Sequence, residues 1–203
     1  MLIVGLTGGS GSGKGYLCSL LRDSDICIID TDKVYHKMIS APSPCVDALV
    51  SEFGDKILDS SGGIDRSKLA DIVFTAKERL ESLNRISHAF IRKECDKIIS
   101  HCTAKVVILD APVLFESGFD SMCDVTVGVV ADEGIRVERI MHRDSISREK
   151  AYTRISNQHT DDWFREKCDI IIENSTEDFL ESAGELKTEL MRLYGCKQKE
   201  KKA

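Results

Sequence analysis

The sequence predicts an α/β fold, a parallel sheet flanked by helices and interrupted by helical insertions. Three observations predict it. Short apolar runs rich in β-branched residues recur along the chain, and such runs suit strands buried on both faces of a sheet. Helical periodicity fills the stretches between them, the alternation that builds parallel sheets. A glycine-rich turn follows the first run and leads straight into a helical pattern, which puts a backbone loop at the carboxyl end of a strand.

Residues 2–6 form the first strand, bounded by glycine, and residues 14–21 the first helix, with Leu17, Leu20 and Leu21 on one side. Residues 26–29 read as the second strand and end at Asp30-Thr31-Asp32; residues 105–109, 125–130 and 169–172 read as the third, fourth and fifth. A final helix follows. Ser175 and Asp178 have capping-box spacing, Phe179, Ala183, Leu186, Leu190 and Leu193 recur at helical intervals, and Gly195 suits the stop. The charged tail, residues 197–203, is expected to fray.

Two stretches break the rhythm. Residues 35–101 carry helical patterns at 69–73, 80–86 and 90–99 and read as an inserted helical lobe. Residues 132–165 are rich in arginine, end in two short helices and read as a smaller insertion. The expected organisation is therefore a core of 1–34, 102–131 and 166–203, a lobe of 35–101 and a lid of 132–165.

Composition narrows the function. The 203 residues include 28 basic and 34 acidic side chains, a net charge of −6. That balance argues against a nucleic-acid binder, which needs a basic surface, but leaves room for a local basic pocket. The eight cysteines, Cys18, Cys27, Cys45, Cys95, Cys102, Cys123, Cys168 and Cys196, contain no C-x-x-C pair, so zinc and thioredoxin-like sites are not expected. The apolar start lacks a basic leader region, and no run approaches the roughly 20 residues of a membrane span. A cytoplasmic protein with reduced, mostly buried thiols is expected, with no membrane partner.

The loop carries the chemistry. Gly8-Gly9-Ser10-Gly11-Ser12-Gly13-Lys14 lies between strand and helix, the context a phosphate-binding loop requires. Glycines let backbone N–H groups turn toward an anion, and the helix N-terminus favours its charge. Lys14 can reach the β and γ phosphates of ATP. The residue after the lysine is normally Ser or Thr, whose hydroxyl ligates Mg²⁺; here Gly15 is followed by Tyr16. Water, Ser10 or Ser12 would have to substitute.

Asp30 and Asp32 sit at the carboxyl end of the second strand. One carboxylate there can take the proton of an attacking hydroxyl and another can hold Mg²⁺, while both also suit the cap of a helix over residues 33–39. Asp110 ends the third strand, where a metal-holding carboxylate or a turn residue would sit. Arg136, Arg139 and Arg143 share one helical face, and such cations can close over a triphosphate and exclude water. Taken alone, such a helix more often presents a solvated face paired with Glu133 and Glu138; in a kinase context Arg139 and Arg143 are the expected catalytic pair, Arg154 comes second, and Arg136 reads as a surface residue.

This ordered set resembles the dephospho-CoA kinase family over nearly the whole chain. Residues 5–14 are similar to its phosphate loop, and Asp30-Thr31-Asp32 to its acidic motif. Pro112-Val113-Leu114-Phe115-Glu116 is similar to its acceptor-side segment. Residues 139–144 and 154–158 are similar to its lid, and residues 168–174 to the strand end near adenine. The departures are Gly15-Tyr16, Ala89 where proline often follows the histidine, and Arg136 where glutamine is common.

The resemblance implies a P-loop kinase fold with a CoA-binding lobe. It implies an enzyme that phosphorylates the ribose 3′-hydroxyl of dephospho-CoA with ATP and Mg²⁺. Asp30, Lys14, Arg139 and Arg143 are then catalytic. Gly8, Gly9, Gly11, Ser12, Gly13, Lys14, Gly15, Tyr16, Arg154 and Asn174 bind nucleotide. Asp32, His88, Leu114, Phe115 and Glu116 meet the acceptor, and Asp32 and Asp110 meet the metal. The small-molecule acceptor is the expected partner, for a monomer or weak homo-oligomer. Two alternatives stay open: a nucleoside monophosphate kinase-like enzyme, and a nucleotide-binding protein whose catalysis is reduced by Gly15.

Overall fold

The computed structural model describes residues 1–200. The chain divides into two compact units, Met1–Ile29 with Thr103–Ala203, and Asp30–Cys102.

The first unit is built on a five-stranded sheet. Its strands are β1 (Leu2–Gly8), β2 (Ile26–Asp30), β3 (Val106–Asp110), β4 (Val125–Val130) and β5 (Ile170–Glu173), in the order β2-β3-β1-β4-β5. β1 pairs in parallel with β3 on one side and β4 on the other, and β4 pairs in parallel with β5. The chain therefore reverses its direction of travel across the sheet at β1, and the crevice at that switch point is where an open α/β sheet binds its ligand. Helix α1 (Lys14–Leu21) packs Leu17 and Leu21 onto Val4, Leu6, Val106 and Ile108, and the last helix closes the same core with Phe179, Leu186 and Leu190.

The second unit is helical. It holds α2 (Thr31–Ile39), α3 (Pro44–Phe53), α4 (Arg66–Val73) and α5 (Lys77–His101) around Ile39, Leu49, Ile57, Leu69 and Val73. The helical patterns at 80–86 and 90–99 both fall in one 25-residue helix, α5. Ala89 continues it, because alanine keeps its backbone N–H and has the best helix propensity.

The arginine-rich segment lies inside the first unit. Its helices are α6 (Glu133–Asp144), α7 (Arg148–Ser156) and α8 (Asp161–Lys167), and Val137 and Ile140 of α6 pack on Ala151 and Ile155 of α7. Helix α9 runs from Phe179 to Glu200. The capping box expected at Ser175 and Asp178 does not start it. Instead the Ser175 hydroxyl accepts a 2.8 Å hydrogen bond from the Asp132 amide. Nor does Gly195 stop it: glycine inside a helix costs only about 1 kcal/mol, and Lys197, Gln198, Lys199 and Glu200 are good helix formers. The helix thus includes residues 197–200 of the charged tail, and residues 201–203 lie outside the described residues. Among the described residues, no helix is long and apolar enough to cross a membrane.

Candidate active site

The loop between β1 and α1 takes its shape from two glycines in the left-handed region. Gly11 has φ 79° and Gly13 has φ 95°. A Cβ at Gly13 would lie 1.9 Å from the Asn174 side-chain nitrogen, so this position excludes every other residue on space as well as on backbone. Gly13 also caps α1 with its carbonyl, which accepts from the Leu17 amide at 3.0 Å. The first turn of α1 thus begins at Lys14, with its N-terminal amides and dipole facing the loop.

Lys14 pairs with Asp110, the last residue of β3, which lies in register with Leu6 of β1. Asp110 is buried, and Cys18 Sγ donates to its second oxygen at 3.5 Å. Neighbouring parallel strands therefore bring the loop's cation beside a buried carboxylate.

Asn174 and Arg139 grip the loop from the far side. Asn174 follows β5, is buried, and donates from Nδ2 to the Ser12 carbonyl at 2.7 Å. Arg139 donates to the Gly11 carbonyl at 3.2 Å and the Ser12 carbonyl at 3.4 Å, and to the Asn174 backbone and side-chain oxygens at 3.1 and 3.2 Å. The Ser10 and Ser12 amides are used within the protein, by Gln158 Oε1 at 2.8 Å and the Gly9 carbonyl at 3.1 Å, so an anion would draw on the loop's other amides. Burial draws the Arg139 pKa down from the ordinary arginine value.

The other arginines divide differently from the expectation. Arg136 is not a surface residue: it is 3% exposed and donates to the Ser10 carbonyl at 3.0 Å and to Asp161 at 2.9 Å. Arg143 shares the face of α6 but lies one helical turn, about 6 Å, beyond Arg139. It is exposed and bonded through Nε and Nη2 to Asp144, at 2.8 and 2.9 Å. Arg154 pairs with the same carboxylate. The Arg143 hydrogen bond is the main reason that the Asp144 pKa falls to about 2. The fold thus brings Lys14, Arg136 and Arg139 to the loop, and gathers Arg143 and Arg154 around Asp144.

The metal expectation meets a mixed donor set. A Cβ at Gly15 would touch nothing within 4 Å, so the missing hydroxyl is not a demand of packing. The Ser12 hydroxyl is buried, lies near Gly8, and has no hydrogen-bond partner among the described residues. Ser10's hydroxyl accepts from Gln158 at 3.0 Å. No cluster of three or more His, Cys, Asp or Glu side chains that could cage a metal occurs among the described residues. Mg²⁺ bound to a nucleotide needs no cage, since phosphates and waters supply most of its shell. Asp110 beside Lys14 fits that minimal role. Tyr16 stacks on Phe179, ring centroids 5.7 Å apart, and stays half exposed.

The 112–116 segment turns out to be partly core. Leu114, expected to meet the acceptor, is fully buried, and a Cβ at Gly5 would lie 2.8 Å from it. It is packing rather than a pocket wall. Phe115 packs edge-on against Trp163 at 5.3 Å, His159 stacks flat on Trp163 at 3.7 Å, and His159 Nε2 lies 3.0 Å from Glu116 Oε1.

In the helical unit, Asp30 is the cap of α2: its Oδ1 accepts from the Lys33 amide at 2.9 Å, and its Oδ2 lies 2.9 Å from Lys33 Nζ. Asp32 lies in the first turn and is not the cap, because the helix begins at Thr31 rather than Lys33. His88 is half-buried in α5.

The residues that sequence reasoning missed are Gln158, Asp161 and His159. Gln158 lay inside a quoted motif without a role. Nothing in the sequence paired Asp161 with Arg136, 25 residues away.

Comparison with known proteins identifies the family. A family model described as dephospho-CoA kinase matches residues 2–179. A protein of that name from Fusobacterium nucleatum is 40% identical over 176 residues, covering 87% of this chain and 91% of the relative. A crystal structure of a Thermus thermophilus protein superposes with a TM-score of 0.80 at 31% identity, covering 95% of this chain and 97% of the other. Dephospho-CoA kinase from Campylobacter jejuni gives a TM-score of 0.67 at 25% identity, with 93% and 96% covered. On a glycine loop at the sheet's switch point and this breadth of similarity, the chain belongs to the dephospho-CoA kinase family.

Proposed function

We propose that this chain transfers the γ-phosphoryl group of ATP to the ribose 3′-hydroxyl of dephospho-CoA, giving coenzyme A and ADP. The observation that carries the reading is the loop itself. Its carbonyls are bound by Arg139 and Asn174, and Lys14 stands beside Asp110 at the end of β3.

In this reading Asp30 takes the hydroxyl proton as the ribose oxygen bonds to phosphorus. The bond from the γ-phosphorus to the β,γ-bridging oxygen breaks, and that oxygen leaves on ADP. Lys14 and Arg139 offset the charge that spreads over the transferring group. Mg²⁺, when bound, neutralises phosphate charge, with Asp110 as its protein group and Asp32 a further candidate. Arg143 and Arg154 would serve the phosphates by exchanging Asp144 for a phosphate anion. Phe115, Glu116 and His88 are the acceptor-side residues. The reading goes with a core, CoA-binding lobe and lid divided as the sequence suggests, and with a cytoplasmic monomer or weak homo-oligomer. Light scattering measures that last property.

An ADP-release assay with Mg·ATP tests the function. Dephospho-CoA should stimulate release, and AMP, CMP, UMP and adenosine should not. Stimulation by a monophosphate would favour a nucleoside monophosphate kinase. Tight ATP binding without ADP formation for any acceptor would favour a catalytically reduced nucleotide-binding protein.

A further inference from the structure

Arg136 is a buried charge in a segment otherwise rich in exposed arginine, and a buried guanidinium persists only where its donors are met. Its acceptors are the Ser10 carbonyl at 3.0 Å, Asp161 Oδ1 at 2.9 Å and Gln158 Oε1 at 3.4 Å. Three acceptors around one plane suit an arginine fork and not a lysine. Asp161 opens α8 and is partly buried, which pushes its pKa up while the Arg136 charge pulls it down.

Gln158 completes the arrangement. Its Oε1 accepts from the Ser10 amide at 2.8 Å and its Nε2 donates to the Ser10 hydroxyl at 3.0 Å. The amide, hydroxyl and carbonyl of Ser10 are thus all bonded to Gln158 or Arg136. The glycines on either side fit the same residue. A Cβ at Gly9 would lie 2.3 Å from Arg136 Nη2, and one at Gly11 would lie 2.6 Å from the Arg136 carbonyl oxygen. The Arg136 backbone therefore requires Gly11 independently of any phosphate, and a side chain at Gly9 would displace the Arg136 guanidinium from its acceptors.

We propose that Arg136, Gln158 and Asp161 are positioning residues that hold residues 9–11 of the loop in its phosphate-accepting shape without touching the nucleotide. The proposal rests on the nucleotide-binding reading of the loop and deepens it. The Ser10 amide serves the scaffold and the Ser12 amide donates to the Gly9 carbonyl at 3.1 Å, so the donors for phosphate come from the other amides after Ser10. The buried Arg136–Asp161 pair also makes the loop's shape depend on the start of α8.

Two measurements on the full chain test it: amide hydrogen exchange of residues 9–13 in the protein alone, and calorimetric binding of ADP without acceptor. Gln158 is exposed, so Gln158→Ala should fold normally. Gln158→Ala and Arg136→Gln should each speed loop exchange and weaken ADP binding about tenfold, the scale of one lost hydrogen bond to a charged or buried group. The KM for ATP should rise in step, while kcat changes less than about threefold and the KM for dephospho-CoA holds. Arg136→Gln with Asp161→Asn, which removes the carboxylate left unpaired, should recover part of the loss. Unchanged exchange and ADP affinity in both single variants would overturn the proposal, as would a fall in kcat at constant KM. If the unaltered protein bound no ADP, the nucleotide reading would fall, and loop exchange would still judge the positioning role.

Discussion

Asp30 carries two roles on one carboxylate, and the two can be separated. As the cap of α2 it accepts from the Lys33 amide, a function asparagine performs equally well. As the proposed base it must take a proton, which asparagine cannot do. Asp30→Asn should therefore leave the unfolding midpoint nearly unchanged while turnover falls by about 100-fold or more, the usual worth of a general base. Asp30→Ala should lose about 1 kcal/mol of stability as well. Urea unfolding beside steady-state ADP release separates the two, and an Asn variant with full turnover would remove Asp30 from the chemistry. Gly15 allows a converse experiment. Its Cβ position is open, so Gly15→Ser should fold without strain and restore the hydroxyl. The Mg²⁺ concentration giving half-maximal rate should fall about fivefold, equivalent to one net hydrogen bond of about 1 kcal/mol. An unchanged Mg²⁺ titration would mean that phosphates, water and Asp110 already complete the shell.

Helix α5 shows how one residue sets the length of an element. It runs unbroken through Ala89 for 25 residues, and its inner face supplies Leu80, Leu83, Ile86 and Phe90 to the core of the helical unit. Ala89 is exposed, so packing contributes little there and backbone chemistry decides. Ala89→Pro removes a helix hydrogen bond and sets the ring against the preceding turn. It should destabilise the protein by about 3 kcal/mol, measured by urea unfolding followed by far-UV circular dichroism. A loss below about 1 kcal/mol would show that the helix already kinks at His88.

Across the whole molecule, an acidic chain of net charge −6 assembles a cationic site by burying its cations. Lys14, Arg136 and Arg139 gather around one loop, two of them against carboxylates. The thiols are sorted by the same burial. Desolvation pushes Cys45 and Cys95 up to about 11 and Cys168 to about 12, while Cys196 is exposed on α9. Since the thiolate is the reactive form, iodoacetamide at pH 8 should label Cys196 first, and Cys45, Cys95 and Cys168 only after denaturation. Peptide mass mapping reads the order, and early labelling of Cys95 would show that the helical unit opens readily.

The sequence by itself determined the sheet, the loop and the family. Apolar runs, glycine spacing and a lysine at a helix start are local patterns, and short-range sterics and hydrogen bonding turn them into strand, turn and helix directly. It also marked Lys14, Arg139 and Asp110, which the structure places at or beside the loop, because strand ends and helix faces are readable from spacing, and Asn174 through the family resemblance. Only the tertiary structure decided which arginines face the loop. Helical periodicity put Arg136, Arg139 and Arg143 on one face but says nothing of how far along α6 the loop extends, or that Asp144 holds Arg143. Leu114 likewise reads as a motif residue until packing buries it against Gly5. Arg136 is the sharpest case: a charge reads as surface in sequence, and its burial depends on partners at 10, 158 and 161 that only folding brings within hydrogen-bond reach.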